Sequence, residues 1–412
     1  MKRIVNTIVF SLMLLFCAMS AGPSSAADVS TAQLMEELEA MQRRVQQLEE
    51  QLQRTAAADE VQKDSGRAAS VKEEGLPERI RKIEEQLKEK TLPDTLTKRV
   101  TLSGLIEAEA GYEKIRYADP AQADEDSSDI ILSTVELGVD VDIAKHVSGH
   151  VLFLWEEDDT EPVDMDEGFI TLDGEDVVPL YLTAGKMYVP FGTYGTFFIS
   201  DPLTLEIGET RESAVRAGFY NELLDVSAAV FNGDVGKIGD DDYIDSFVGS
   251  IAFSLPEELV PDLGLTAGAA YLSNIADSDG LEGETSGEIQ DEIGGLGAFL
   301  SLAYRERAFL QCEYVGALDH FEAGELSFDE GRAAKPRAWN LELALVPVAD
   351  LTVAVKYEAS RDLGAFQPEE QYGAAVTYGL FANTAISFEY LRGEHENGDR
   401  RDLLTTQLAI EF

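Results

Sequence analysis

The sequence has few cysteines, little positive charge and no long apolar segment after its first twenty residues. Cys17 lies in the N-terminal apolar segment, so Cys312 is the one cysteine in the rest of the chain. That excludes an intramolecular disulfide and a cysteine-based metal site. Lys and Arg number 32 against 78 Asp and Glu, a formal net charge of -46. Nucleic acid, itself a polyanion, is therefore not expected as a partner.

Histidine is scarce as well, with His146, His150, His320 and His395 in the whole chain. His146 and His150 share one face of a candidate strand but lie close to a predicted turn, and no catalytic constellation is evident around them. We therefore expect no enzyme activity, no cofactor and no metal site. An enzyme remains a minor alternative, because some barrel proteins are proteases or phospholipases.

Residues 1–27 have the three parts of an export signal. Lys2 and Arg3 precede an apolar run, and Ser25-Ala26-Ala27 predicts cleavage before Asp28. Phe16 is too bulky for the lipoprotein type of cleavage before Cys17. The mature chain contains no apolar stretch of the ~18 residues that a membrane helix needs.

Residues 28–92 have a helical period and are expected to form a periplasmic coiled coil followed by a linker. The apolar seam is Leu34, Leu38, Met41, Val45, Leu48 and Leu52. This seam predicts self-association, most simply a homotrimer. Two alternatives are a solvated single helix and a tether that binds the cell wall while a barrel anchors it.

From residue 99 to residue 412 apolar and polar residues alternate with a period of two. The alternating segments are about as long as a strand that crosses a bilayer. The fold predicted is an all-β transmembrane barrel of about 16 antiparallel strands. The predicted strands begin near Val100, Asp129, His146, Asp166, Leu180, Ser213, Leu223, Ser246, Leu263, Ile293, Arg307, Ala338, Leu351, Gln371, Thr384 and Leu403.

The connections alternate between short and long, as in outer-membrane barrels. A soluble β-sandwich also alternates apolar and polar residues but does not require this parity of connection lengths. The expected long connections are 114–128, 157–165, 189–212, 232–245, 274–292, 317–337, 360–370 and 393–402. We therefore predict a location in the outer membrane of a Gram-negative cell, surrounded by lipid.

The final strand ends on Phe412, with Leu404, Leu408 and Ile410 on the same face. A terminal aromatic residue after an alternating strand predicts recognition by the barrel assembly machinery. Phe412 is therefore an expected assembly residue, together with the coiled-coil seam.

The connection 189–212 is more aromatic and less acidic than the other long connections, so it is predicted to fold into the barrel. Packing against a neighbouring subunit is the alternative. Folded inward, it would form a constriction that screens solutes by charge. The candidate constriction and solute-binding residues are Lys186, Phe191, Tyr194, Asp201, Glu206, Glu209, Arg211, Arg216 and Lys356. Acidic runs at 119–129, 156–167 and 239–245 are interpreted as solvated charge, and the alternative is diffuse divalent-cation binding or attraction of cationic solutes to the mouth.

The segment AGKMYVPFGTYGTFFISDPLTLEIGETRESAV, residues 184–215, resembles the characteristic segment of the LbtU-family siderophore porins. The segments SDIILSTVELGVDVDI, HVSGHVLFLWEED and DEGFITL also resemble that family. The resemblance implies an outer-membrane porin that takes up ferric siderophore without a plug domain. A general cation-preferring diffusion porin and an envelope tether anchored by a barrel are the alternatives.

Overall fold

The protein is described by a computed structural model that covers residues 99–412, except 158–159, 161, 175–176, 242 and 257–258. The predicted export signal, coiled coil and linker lie outside the described residues. Within these residues, no helix is both long enough and apolar enough to span a membrane.

Sixteen strands of the described part form one closed antiparallel barrel, which confirms the predicted fold class. Each strand pairs with its neighbours along the chain, and β1 pairs with β18 to close the sheet. All sixteen begin within four residues of the predicted starts. The strands are β1 Val100–Arg116, β2 Glu125–Ala144, β3 Val147–Trp155, β4 Asp164–Asp173, β5 Leu180–Tyr188, β6 Arg211–Tyr220, β7 Leu224–Phe231, β9 Ser246–Ser254, β10 Leu263–Leu272, β12 Gly295–Tyr304, β13 Ala308–Ala317, β14 Arg337–Val348, β15 Leu351–Arg361, β16 Glu370–Phe381, β17 Thr384–Glu394 and β18 Arg400–Glu411.

Along most of each strand, side chains alternate between the two faces of the barrel wall. On β15, Val353, Val355 and Tyr357 are exposed on the outside, whereas Lys356 and Glu358 are buried on the inside. An aromatic band crosses five strands of the outer face, formed by Tyr112, Trp339, Tyr357, Tyr372 and Tyr390. An apolar outer face with an aromatic band is the surface that a bilayer requires.

At one end of the barrel, most strands are joined by tight turns. Arg305 and Glu306 both have positive φ, 55° and 51°, in the turn between β12 and β13. Asp350 and Asn383 have φ of 63° and 58° in two other turns. Such values match the right-handed twist of antiparallel strands, and Asp and Asn tolerate them best among residues with a β-carbon.

Phe412 joins the last strand to the first. Its backbone N–H and carbonyl form hydrogen bonds of 3.0 and 2.9 Å with Gly104. Its ring covers Gly104, since a β-carbon there would lie 2.3 Å from the ring. Phe412 is also 62% exposed on the outer face, so one ring both covers the closing seam and faces the surroundings.

At the other end, several long connections pack together. Two short helices, α1 (Leu203–Glu206) and α2 (Asp279–Glu282), and a 3₁₀ turn (Ile275–Asp277) lie in them. A two-stranded parallel sheet joins β8 (Gly236–Lys237) to β11 (Glu288–Ile289). We call this layer the loop cover; its buried core includes Phe191, Leu203, Ile207, Phe231, Val235, Leu272, Ile275, Leu281, Ile289, Phe321, Leu326 and Leu363.

The loop cover corrects one expectation from the sequence. The sequence predicts 274–292 and 317–337 only as long connections between strands, yet Leu281 and Phe321 within them are fully buried. Their apolar residues are too widely spaced to form a periodic pattern. Only packing between connections brings them together.

Candidate functional site: the inward loop and the barrel wall

The connection between β5 and β6, residues 189–210, lies inside the barrel, and we call it the inward loop. Phe191 is 1% exposed, Leu203 3% and Ile207 0%. Gly297 on β12 allows this packing, because a β-carbon there would lie 2.3 Å from the carbonyl oxygen of Phe191. The loop is therefore seated against the wall rather than exposed to solvent.

Four inner-face carboxylates hold the loop by its backbone, and we call them the wall glutamates: Glu313 on β13, Glu342 on β14, Glu358 on β15 and Glu389 on β17. Each accepts at least one backbone N–H from the loop. Carboxylates that accept backbone N–H groups form strong, directional bonds. The loop is thus held on β13, β14, β15 and β17. The register of these strands sets the height of each contact along the barrel axis.

Glu313 holds the first part of the loop. Its carboxylate accepts the N–H of Thr193 at 2.8 Å and the N–H of Tyr194 at 3.0 Å. The hydroxyl of Thr204 donates to it at 3.2 Å. These donors are neutral, so they satisfy the hydrogen-bonding capacity of the carboxylate without cancelling its charge.

Glu389 holds the tip of the loop. The N–H groups of Ile199 and Ser200 donate to one carboxylate oxygen at 2.7 and 3.0 Å. The Ser200 hydroxyl donates to the other oxygen at 2.5 Å. The next residue, Asp201, is exposed to the lumen. By holding Ser200, Glu389 therefore fixes the position of the Asp201 carboxylate.

The middle of the loop is held around one buried lysine. The Lys356 ammonium lies 3.8 Å from Glu342 and 3.4 Å from Glu358, and all three side chains are 0% exposed. It also lies 4.6 Å from the ring centre of Phe198 and donates to the carbonyl of Ser200 at 3.4 Å. The lysine partly offsets two buried carboxylates, which would otherwise be costly to desolvate.

This geometry changes the expectation for Lys356. The alternation predicts its inward direction correctly, but the loop covers it. Its ammonium is used to hold the loop and is not available to a solute in this arrangement. Phe191, near the start of the inward loop, is buried against the wall and does not line the lumen.

The other predicted loop residues differ in exposure. Tyr194 has a buried hydroxyl with no hydrogen-bond partner among the described residues. Glu206 and Glu209 are half-buried in and after α1. Burial, followed by the charge of Asp279, raises the pKa of Glu209 to about 8, although Arg211 opposes the shift. Glu209 is therefore a proton-binding group near neutral pH.

The three remaining predicted cations lie apart. Arg211 pairs with Asp166, a 3% exposed carboxylate on β4. Arg216 is on the inner face of β6, as alternation predicts; its guanidinium donates to Ser227 at 3.1 Å and lies 3.9 Å from Asp225. Together these contacts leave no cluster of free cations from the predicted set.

Lys186, predicted as a constriction residue, faces outward in the structure. It shares the alternation of Leu182 and Ala184 and stands opposite Ser213, which is exposed. Its ammonium lies 3.6 Å from Asp164. A contact with a solute inside the barrel is not available from this position.

The wall facing the loop tip carries half-buried carboxylates with polar or cationic partners. Glu109 accepts from Gln407 at 3.0 Å, and Glu113 accepts from Arg401 at 2.5 Å. Sequence reasoning missed these residues and the holding role of the wall glutamates. Alternation can show that they face inward, but not which backbone donors face them.

No group of three or more His, Cys, Asp or Glu side chains among residues 99–412, with the gaps given above, is arranged to hold a metal ion. The acidic runs in the long connections remain interpreted as solvated charge.

No protein-family model matches the chain. It is similar to a UPF0422 protein of Legionella pneumophila strain Philadelphia 1, with 25% identity over 302 residues, covering 66% of this chain and 56% of that protein. A UPF0422 protein of Coxiella burnetii is 25% identical over 295 residues, covering 68% of this chain and 62% of that protein. The aligned part thus spans little more than half the length of these curated relatives.

Among solved structures, the fold is similar to the outer membrane channel DcaP of Acinetobacter baumannii, with a TM-score of 0.52 and 13% identity over 76% of this chain and 97% of that one. It is also similar to an anion-selective porin from Comamonas acidovorans, with a TM-score of 0.53 and 13% identity over 76% and 99%. At these identities the likeness shows the fold alone. The chain folds as a porin-type barrel of sixteen strands.

Proposed function

We propose that the protein is a passive outer-membrane porin through which hydrophilic solutes diffuse past the inward loop. The observation that carries this proposal is the inward loop itself, held across the inside of a closed barrel by the wall glutamates. A loop that only filled space would not need four carboxylates on separate strands. The apolar outer face with its aromatic band supports a lipid environment.

The charges that face the lumen favour a cation-preferring pore. Asp201 is exposed at the loop tip, and Glu109 and Glu113 are half-buried on the facing wall. Lys356 is enclosed by carboxylates, and Arg211 and Arg216 lie beside acidic partners. A constriction lined by carboxylates attracts cations and repels anions.

Planar-bilayer recording on the purified full chain tests this function. We expect discrete conductance steps in potassium chloride and, in a salt gradient, a reversal potential of the sign for cation preference. No ion current would exclude the porin function. An anion-preferring reversal potential would exclude only the selectivity.

Ferric-siderophore uptake is the second candidate. The segment 184–215 supports it through the family resemblance stated above. A cavity of about 330 Å³ at the loop end of the barrel supports it in part, because Arg400, Arg401, Tyr117 and Phe366 line it, although Glu113 and Asp399 line it as well. Guanidinium groups beside aromatic rings suit an anionic aromatic chelate.

Growth on a ferric siderophore as the sole iron source, with and without the gene, tests this candidate. A strain carrying Arg400→Gln and Arg401→Gln should grow more slowly than wild type on the siderophore and equally well on ferric citrate at high concentration. Equal growth of the deletion strain on the siderophore would exclude the candidate while leaving the porin function in place.

Assembly is proposed to involve a homotrimer and the barrel assembly machinery. Phe412 supports the second, since its ring is exposed on the outer face beside the seam that it forms with Gly104. Phe412→Ala should reduce the amount of protein in the outer-membrane fraction. Removal of residues 28–92 tests the coiled coil: loss of trimers supports an assembly role, whereas intact uptake with a leaky envelope supports the tether.

A further inference from the structure

A cavity of about 260 Å³ lies between the inward loop and the inner wall of β10 and β12–β14. We call it the wall cavity. Thr193 and Gly195 of the loop border it on one side, and both are exposed to the lumen. A solute that passes the loop could therefore reach this cavity without any change in the barrel.

Two amide side chains of the wall cavity have unused acceptors. The side-chain oxygens of Gln311 and Asn340 are buried and have no hydrogen-bond partner among the residues that the structure describes. The orientation of Asn340 is set by its amide nitrogen, which donates to Glu342 at 3.2 Å. Buried acceptors without a donor are unfavourable, so an occupant that supplies N–H or O–H groups would relieve this cost.

The charge around the wall cavity is negative. Glu313 lines it, and its donors Thr193, Tyr194 and Thr204 are neutral. Glu342 is one hydrogen bond away through Asn340 and shares Lys356 with Glu358. An occupant with positive charge would therefore gain electrostatic energy that a neutral one would not.

An aromatic ring completes the wall cavity. Phe299 lines it, and its ring lies across Gly268, where a β-carbon would stand 2.5 Å from the ring. The missing side chain at Gly268 leaves room for the ring to lie along the wall. Aromatic faces attract cations within about 6 Å.

We propose that the wall cavity binds the ammonium group of a small organic cation during its passage through the channel. Free acceptors, a carboxylate held by neutral donors and an aromatic ring all favour this class over a carboxylate solute. A polyol would satisfy the acceptors but not the charge. The inference rests on the porin function proposed above and names a class of solute for it.

Block of the ion current tests the proposal, with propylammonium as the probe and propionate and xylitol as the anionic and neutral comparisons. Propylammonium should block wild type at the lowest concentration of the three. Gln311→Leu and Asn340→Leu should each raise the blocking concentration about tenfold, since each removes one acceptor for a charged donor. Gln311→Glu, similar in shape, should lower it.

Thr377→Val is the control, because Thr377 lies on the inner face of β16 and its hydroxyl contacts that of Ser387 at 2.9 Å, outside the wall cavity and away from the carboxylates of the facing wall. It should leave block by propylammonium unchanged. Stronger block by xylitol, or unchanged block in both leucine variants, would overturn the proposal. Circular dichroism and heat-modifiable gel mobility would show that each variant folds.

Titration calorimetry of propylammonium into the purified full chain separates this inference from the porin function. Heat of binding in wild type that is lost in Gln311→Leu would support the wall cavity even if no current is seen. Ion current without such binding would retain the porin and reject the cavity as an ammonium site.

Discussion

Carboxylates on the two sides of the lumen differ in what they bind. On β13–β17 the wall glutamates are at most 7% exposed and accept mainly backbone N–H and hydroxyl groups of the inward loop. On β1 and β18, Glu113 pairs with Arg401, and the side chains are 30% and 38% exposed. The same residue type holds structure on one side and remains within reach of solutes on the other.

Because the two sides differ in burial, substituting a charged residue costs a different free energy on each side. Removing one partner of a buried ion pair typically costs about 3–5 kcal/mol, because the remaining charge is left without compensation. An exposed pair contributes about 0–1 kcal/mol. Substitutions on the loop side should therefore alter the structure of the channel, and those on the facing side its selectivity.

The largest effect is expected from Lys356→Met. The substitution keeps an unbranched side chain that is one atom shorter, but leaves Glu342 and Glu358 without the ammonium, at a cost of about 3–5 kcal/mol in loop seating. The loop should leave the wall. We expect larger single-channel conductance and new protease cleavage within residues 189–210.

Arg216→Met is the matched control for that substitution, since Arg216 is on the inner face of β6 and 3.9 Å from Asp225. It should leave the loop protected from protease. A Lys356→Met channel with wild-type conductance and a protected loop would show that the lysine does not hold the loop.

Glu389→Ala should have the next largest effect. It removes the acceptor for Ile199 and Ser200, and hydrogen bonds to a charged group contribute about 1.5–3 kcal/mol each. The loop tip should become mobile while Glu313 still holds its first part. Single-channel recording should show added open-channel noise at nearly unchanged mean current.

Glu109→Ala on the facing wall is the comparison, because it also removes one inner-face carboxylate but no contact to the loop backbone among the described residues. Equal open-channel noise in the two variants would contradict the conclusion that the wall glutamates hold the loop and the carboxylates of the facing wall do not.

Glu209 links the loop to pH. Its pKa in the folded protein is about 8, raised first by burial and then by Asp279, from an ordinary value of 4.5. The folded state therefore binds a proton that the unfolded state has released between these values. The contribution of this proton to the stability of the folded protein is fully present below pH 4.5 and is lost as the pH rises through 8.

The thermal midpoint of wild type should accordingly fall between pH 5 and pH 8.5 in a circular dichroism melt. Glu209→Gln, which cannot ionise, should show a smaller fall. Parallel pH dependences in the two proteins would mean that Glu209 does not contribute.

The smallest effect on stability is expected from Arg401→Met. Its pair with Glu113 is partly exposed, so the thermal midpoint should change by little, in line with about 0–1 kcal/mol. The reversal potential should shift toward stronger cation preference, because Glu113 loses its cation. Glu113→Gln should shift it the other way, and equal reversal potentials in both would contradict a role for this side in selectivity.

Sequence periodicity was enough to predict the strands and most of their faces, with Lys186 as an exception. Val353, Val355 and Tyr357 alternate with Lys356 and Glu358, and the structure has the same faces. Alternation does not show, however, how deeply an inward-facing side chain is buried or whether a loop covers it. Lys356 and Arg216 both face inward, yet one is enclosed beneath the loop and the other is half-exposed.

The sequence by itself determined a sixteen-stranded barrel with an apolar outer face, because the side-chain period of two follows directly from the geometry of a strand. Only the tertiary structure decided what the inner carboxylates do. Glu389 and Ser200 are far apart in the sequence and meet only because the loop crosses the lumen at a height set by strand register. Such a meeting depends on the closed barrel as a whole, and no local pattern encodes it.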